Sequence, residues 1–480
     1  MIGSFIKIVA CILGIVGFTY ILPVSVALVY HETQVVWSFS VPMIASLVFA
    51  AASLLIWRNQ KIRFNTKTSF VIVAVAWLAV NLFGAIPLYV SGAIPALVDA
   101  VFESFSGFTT TGGTIVTDVE ALPRSINLWR CQTHWLGGMG IVALTVALLP
   151  LLGVGGFQLI KAETTGPEKG KLTPKIATTA KVLWFMYISL TVLQTILLRV
   201  AGMDFVDALS HAFATLGTGG FSTRNSSVGT YDSLAIDIIV TVFMFLGGIN
   251  FSMYYYAFTG KGSEIKENSE LRNYLAIVFI SVLAITLLEL KNYGGFFNSL
   301  RYSSFQTISI MTTTGFSTDD YLNWTSASQV IIFLLFFIGG CSGSTAGGVK
   351  VIRWVILAKQ FHNEIQKMLH PQGIFTIRIN KRAGRKDVVF NVAAFLFIYV
   401  IMIAALTLFA CIFKLDILSS FTGALSMVGN VGPAFGKLGP SCNYAFLPAA
   451  VKWAYCFAML AGRLEFFTIV IFLSPSFWKK

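Results

Sequence analysis

The sequence predicts an all-α integral membrane protein, four span–pore-loop–span repeats around a pseudo-four-fold axis with two extra N-terminal transmembrane helices. Three observations predict it. Hydrophobic residues are 56% of the 480, charged residues only 11%, and mean hydropathy is +0.77, whereas soluble domains carry about a quarter charged residues. The apolar residues gather in runs of the length, about 20 residues, that crosses a bilayer as a helix. Four short Thr/Gly-rich segments, similar to one another, lie between those runs.

Ten spans are expected, near 5–30, 37–57, 69–90, 128–149, 181–201, 233–258, 272–290, 327–360, 388–413 and 446–474. The first has a single Lys before its apolar run and no small-residue cleavage site, so it is expected to be retained. The net charge of +13 is distributed by loop: Arg58, Lys61, Arg63 and Lys67 in one, Lys161 to Lys181 in the next, then Lys261, Lys266 and Arg272, and Lys359 through Lys386. Residues 31–36 hold no Lys or Arg. By the positive-inside rule the basic loops are cytoplasmic, and with ten spans both termini are too. No loop is long enough to fold a basic nucleic-acid-binding domain, so nucleic acid is excluded as a partner.

The six cysteines show no paired spacing and the five histidines no metal-ligand spacing. No GxGxxG or GxxxxGKS is present, so no nucleotide cradle is visible and no bound cofactor is expected. A membrane enzyme would need a clustered nucleophile, base or metal site within the spans. None is found, and an enzyme is not expected.

The repeated segments are SFSGFTTTGGT (104–114), FATLGTGGFST (213–223), IMTTTGFST (310–318) and SMVGNVGPAFG (426–436). They align on Gly112, Gly220, Gly315 and Gly432, at intervals of 108, 95 and 117 residues. Each reads as a span, a re-entrant half-helix, an extended turn and a second span. The units are expected at 61–165, 166–262, 263–375 and 376–480, after a two-helix unit at 1–60. Asp99, Asp207, Asn298 and Asp416 stand 13, 13, 17 and 16 positions before the glycines and are expected to cap the half-helices.

Four half-helix C-termini, each equivalent to roughly half a negative charge, favour a cation and repel an anion. Irregular backbone at membrane depth must be buried or line a water-filled path. A ring of backbone carbonyls can replace the hydration shell of a cation. Glycine permits the backbone angles this requires, while the preceding threonines add hydroxyl oxygens and β-branched stiffness. Close helix packing is the alternative use of such glycines, but four equivalent copies between spans favour the ring. All four repeats run in the same direction, unlike the inverted repeats of secondary carriers.

TTTGG, GTGGFST, TTTGFST and GNVGP in this order, with GGCSGSTAGGVKVIR between the last two, resemble the TrkH/TrkG/KtrB family of bacterial potassium-uptake subunits over about residues 60–475. The extra N-terminal pair is similar to the TrkH branch. The resemblance implies a single-chain pore whose filter carbonyls come from Thr110, Thr111 and Gly112; Thr218, Gly219 and Gly220; Thr313, Thr314 and Gly315; and Asn430, Val431 and Gly432. It implies potassium uptake across the bacterial inner membrane. A sodium or mixed monovalent-cation pathway is the alternative; Gly112, where sodium-carrying plant relatives have serine, favours potassium. Ala434 departs from the glycine expected after GNVGP. A homodimer and a cytosolic nucleotide-binding ring protein of the TrkA type are the implied partners, with membrane lipids around them.

The 327–360 run is too long for one crossing and is interrupted by Gly339, Gly340, Cys341, Ser342, Gly343, Ser344, Thr345, Ala346, Gly347 and Gly348. A packing kink or a flexible intramembrane flap would each use such residues, and the resemblance supports a gating flap. Lys350 and Arg353 follow it, as a latch or as interfacial anchors. Arg463 lies in the last apolar run, where a charge is expensive. It is expected beneath the filter as an electrostatic barrier, the alternative being an ion pair with Glu465. Asp204 and Asp207 suit the outer mouth or a helix cap, and His134 is expected to pack against a neighbouring helix.

Overall fold

A computed structural model describes residues 2–58, 66–140, 176–380, 382–383 and 386–478. Lys61, Arg63, the end of the 128–149 run, the basic stretch 161–175 and the expected boundaries at 60/61 and 165/166 lie outside the described residues.

The described chain is helical apart from one short antiparallel pair, Arg378–Ile379 with Arg382–Ala383. Six helices are long and apolar enough to cross a membrane: Phe5–Val29, Thr33–Ile56, Lys67–Val90, Ala180–Val200, Ser269–Leu288 and Val388–Ile412. Their outer faces are apolar, and Leu55, Phe185, Phe279 and Phe397 are all more than half exposed. Water would penalise such a surface, whereas lipid accepts it.

The remaining runs are not continuous helices. The 233–258 run, expected as one span, is two helices, Leu234–Gly247 and Phe251–Phe258, bent by 94°. The 446–474 run breaks between Ala449–Arg463 and Phe467–Leu473, where Glu465 and Phe466 take φ of 54° and 33°. The 128–149 run begins earlier, at Arg124, and its helix stops at Gly138. In each case hydropathy marks the run without marking the residues that turn the backbone inside it.

Four half-helices fill the space between spans: Leu97–Phe108, Phe205–Leu216, Phe296–Met311 and Ile417–Gly429. Asp416 caps the fourth as expected, accepting from Ser419 N at 2.9 Å. The other expected caps are corrected. Asp204, not Asp207, caps the second half-helix. Asp99 and Asn298 lie inside their first turns, because those helices begin at Leu97 and Phe296. Asp99 instead pairs with Lys452 at 2.6 Å, a contact from the first half-helix to the last repeat.

The packing runs around a circle. Helix Arg124–Gly138 lies against the second half-helix, Leu234–Gly247 against the third, and Ala449–Arg463 against the first. Phe333 of helix Ser326–Leu335 meets Phe421 of the fourth half-helix, ring centroids 6.2 Å apart.

Candidate cation filter and flap

Each half-helix ends in the same turn. Thr110, Thr218, Thr313 and Asn430 have φ of 55°, 52°, 55° and 54°, in the left-handed region. The next residue's N–H reaches back into the helix: Thr111 to Ser106 O at 2.8 Å, Gly219 to Ala214 O at 2.9 Å, Thr314 to Ser309 O at 2.8 Å and Val431 to Ser426 O at 3.0 Å. This is the Schellman ending, normally built on glycine. A β-branched residue there is a genuine outlier, and such strain, of order 1–3 kcal/mol per residue, gathers at functional sites. Sequence reasoning assigned the unusual backbone to the glycines alone; the threonines share it.

Two residues on, Gly112, Gly220, Gly315 and Gly432 are again positive, at 82°, 81°, 81° and 99°, while the residue between is not. A uniform strand points successive carbonyls to opposite sides. Alternating the sign of φ brings them to one side, the arrangement an ion-binding loop needs.

The four glycines meet around one axis. A methyl group on Gly112 would strike Gly219 O, on Gly220 it would strike Thr314 O, on Gly315 Val431 O, and on Gly432 Thr111 O. The contacts pass from loop one to two, three, four and back to one, so the ring closes. Only a residue without Cβ fits.

Of the main-chain carbonyls of these loops, from Thr110–Gly112, Thr218–Gly220, Thr313–Gly315 and Asn430–Gly432, only Gly432 O accepts a hydrogen bond among the described residues. The rest have no protein donor among the described residues, and within a bilayer an unmatched polar group costs several kcal/mol. They suit water or a desolvated cation. The expected hydroxyl ligands are corrected in part. The Thr111 hydroxyl lies 2.8 Å from Thr109 Oγ1 and accepts from Asn430 Nδ2 at 2.9 Å, and Thr314 Oγ1 lies 2.8 Å from Thr312 Oγ1. These hydroxyls hold the loops to one another and to their helices.

Beneath the third and fourth loops runs the Gly/Ser segment. It is no kinked helix: the chain is non-helical between Ser326–Leu335 and Val351–Leu369. Gly339 N donates to Val349 O at 2.6 Å and closes its base. Cys341 N reaches Gly248 O at 2.8 Å and Thr345 Oγ1 reaches Gly247 O at 3.1 Å, at the bend of the second repeat. Gly347 N donates to Thr313 Oγ1 at 2.6 Å, directly at the inner end of the third loop. Ser342 N and Ile352 N share Glu270 Oε1 at 2.7 and 3.1 Å.

Arg463 ends its helix instead of standing inside one. Its guanidinium donates to Thr345 O of the segment at 2.9 Å, and to Gly137 O and Gly138 O at 2.6 and 2.9 Å. The fork joins the fourth repeat, the segment and the first repeat. Glu465 pairs with Arg353 at 2.7 Å. The interfacial-anchor reading of Lys350 and Arg353 is corrected as well. Both are buried; Lys350 Nζ donates to Ala346 O and Arg353 stacks 3.6 Å from the Phe395 ring centroid.

The family profile described as "TrkH: Cation transport protein" matches residues 38–291 and 297–480. The chain belongs to the TrkH family. It is 37% identical over 481 residues to the Trk system potassium uptake protein TrkH of Halomonas elongata, covering 99% of both chains. With the Trk system potassium uptake protein TrkG of Escherichia coli it shares 32% over 485 residues, again 99% of both. The crystal structure of the potassium transporter TrkH from Vibrio parahaemolyticus matches with a TM-score of 0.86 and 34% identity, covering 100% of both chains. This TrkH-family chain is accordingly a multi-pass membrane protein.

Sequence reasoning missed the polar framework behind the loops of this TrkH-family protein. Glu103 and Arg130 form an ion pair at 2.7 Å with side chains 0% and 1% exposed. Glu103 also accepts from Thr114 Oγ1 at 2.9 Å and Ile115 N at 3.0 Å, just beyond the first loop. Arg130 donates to Ser222 O at 3.3 Å, beyond the second, and lies 4.4 Å from the Phe221 ring centroid. His134 does more than pack: Phe221 N donates to its Nε2 at 3.2 Å, so Nδ1 carries the proton given to Gly107 O at 2.8 Å. An acid inside FESFSGF and an arginine inside an expected span were the available signals.

Proposed function

We propose that this chain carries potassium ions inward across the bacterial cytoplasmic membrane, through the ring of Thr110–Gly112, Thr218–Gly220, Thr313–Gly315 and Asn430–Gly432. The closed circuit of glycine-to-carbonyl contacts, lined by oxygens with no protein donor, is the observation that carries the reading. Four convergent helix C-termini add negative potential there. The relatives named as potassium uptake proteins support potassium as the ion.

The segment Gly339–Gly348 is the gate. It lies against the inner ends of the loops, and Lys350 and Arg463 hold it closed through main-chain carbonyls. Both termini lie in the cytoplasm. The protein works as a homodimer under a cytosolic nucleotide-binding ring protein, which opens the gate from the basic inner face. The four repeats at 61–165, 166–262, 263–375 and 376–480 each supply one loop, and the helices before residue 60 flank the first.

Expression in a bacterium lacking its own potassium uptake tests this. Growth at low potassium and uptake of rubidium in preference to sodium are expected. Uptake of sodium alone, or no cation uptake by correctly inserted protein, would refute it.

A further inference from the structure

Tyr444 lies between the fourth loop and helix Ala449–Arg463 and is buried. Its main-chain N–H donates to Thr114 O, beyond the first loop, at 2.8 Å. Its hydroxyl donates to Gly432 O at 2.6 Å. Phe102 of the first half-helix and Tyr455 hold its ring, at centroid separations of 5.8 and 6.3 Å. The hydroxyl is therefore fixed on one loop carbonyl. Among the described residues, the carbonyls of Gly112, Gly220 and Gly315 accept no hydrogen bond. The four loops are chemically unequal at their outer glycine.

A carbonyl oxygen has two lone pairs, and one committed to a phenol leaves a weaker ligand for a cation. We infer that Tyr444 is an affinity-setting residue that weakens the fourth oxygen of the outermost ring, at Gly432, so that an entering ion meets three full-strength carbonyls and one shared carbonyl. Conduction needs a site firm enough to admit the ion and weak enough to release it. An unequal outer ring meets both demands. The inference rests on the filter reading given above.

Tyr444→Phe removes the hydroxyl and keeps the ring packing. In vesicles holding the purified full-length protein, the potassium concentration for half-maximal uptake is expected to fall about fivefold, the factor corresponding to one neutral hydrogen bond returned to the ion. The maximal rate is expected to fall with it. If the hydroxyl merely braces the loop, half-saturation stays or rises and sodium begins to enter, which overturns the inference. Potassium-dependent thermal stabilisation of the detergent-solubilised variant gives a second readout that needs no flux. Its potassium midpoint is expected to fall by the same factor, and an unchanged midpoint overturns the inference. Absence of potassium uptake by the unaltered chain would remove the filter reading itself, and this inference with it. A contrary Tyr444→Phe result beside normal wild-type uptake removes only the role of Tyr444.

Discussion

The hydroxyl of Thr313 accepts the N–H of Gly347 at 2.6 Å, joining the inner end of the third loop to the segment that crosses beneath it. Thr313 holds φ of 55°, so a strained residue of the ring also anchors the candidate gate. One hydrogen bond thus joins the proposed filter to the proposed gate.

Thr313→Val keeps the β-branched shape and removes that acceptor. Leaving a buried N–H unmatched costs about 1–3 kcal/mol, and that cost falls on the Gly339–Gly348 segment as it packs against Thr313. Basal rubidium efflux from vesicles without any partner protein is expected to rise, and Thr313→Ser, which keeps the hydroxyl, is expected to restore the wild-type rate. Deleting Gly343–Ala346 is expected to raise basal flux further. Unchanged efflux in both would remove the gate assignment.

Arg463 meets three carbonyls with one planar fork, a geometry lysine does not reproduce. Arg463→Ala is expected to increase conductance, with Arg463→Lys between it and wild type, in electrical recordings of folded, monodisperse protein. Equal conductance in all three would show that the fork does not restrain the path.

Gly220 combines a φ of 81° with a neighbour, Thr314 O, in the place a Cβ would take. Gly220→Ala is expected to abolish cation uptake while the protein still inserts. Gly202 makes a useful control, since its φ is 104° but nothing lies within 4 Å of the position. Gly202→Ala bears only the left-handed penalty, about 1–2 kcal/mol, and is expected to lower thermal stability slightly with uptake intact. Rubidium uptake normalised to membrane-inserted protein separates the two outcomes.

Removing one partner of a buried ion pair costs about 3–5 kcal/mol, because the other charge is left uncompensated. Glu103→Met and Arg130→Met are each expected to lower the melting temperature strongly, and the double variant to recover much of the loss. Melting curves of the four proteins in one detergent measure the coupling. Additive losses would contradict a tight pair.

The repeats were legible because their chemistry is carried by local sequence. Gly112, Gly220, Gly315 and Gly432 stand where only glycine fits, so the motif recurs four times in recognisable form. The interruption at 339–348 was legible for the same reason, being dense in residues that destabilise helices. The bend at Gly248–Asn250 and the break at Glu465–Phe466 were hidden, because each lies in a run whose mean hydropathy is high and whose turning residues are few. The half-helix starts were misplaced by a few residues wherever an acid in the first turn resembled a cap, as at Asp99 and Asp207. Arg130 reaches Ser222 and Tyr444 reaches Thr114 from one repeat to another, across long separations in the chain. A pattern read along one strand of sequence does not bring them together.

The central claim is that one ring of main-chain oxygens binds a bare alkali ion. Diffraction from thallium-soaked crystals of the full chain tests it most directly, since thallous ion substitutes for potassium and scatters anomalously. The account predicts anomalous peaks on the axis between Gly112, Gly220, Gly315 and Gly432, reduced when potassium is added back. Peaks confined to the outer surface or to contacts between copies, with none inside that ring, would contradict it.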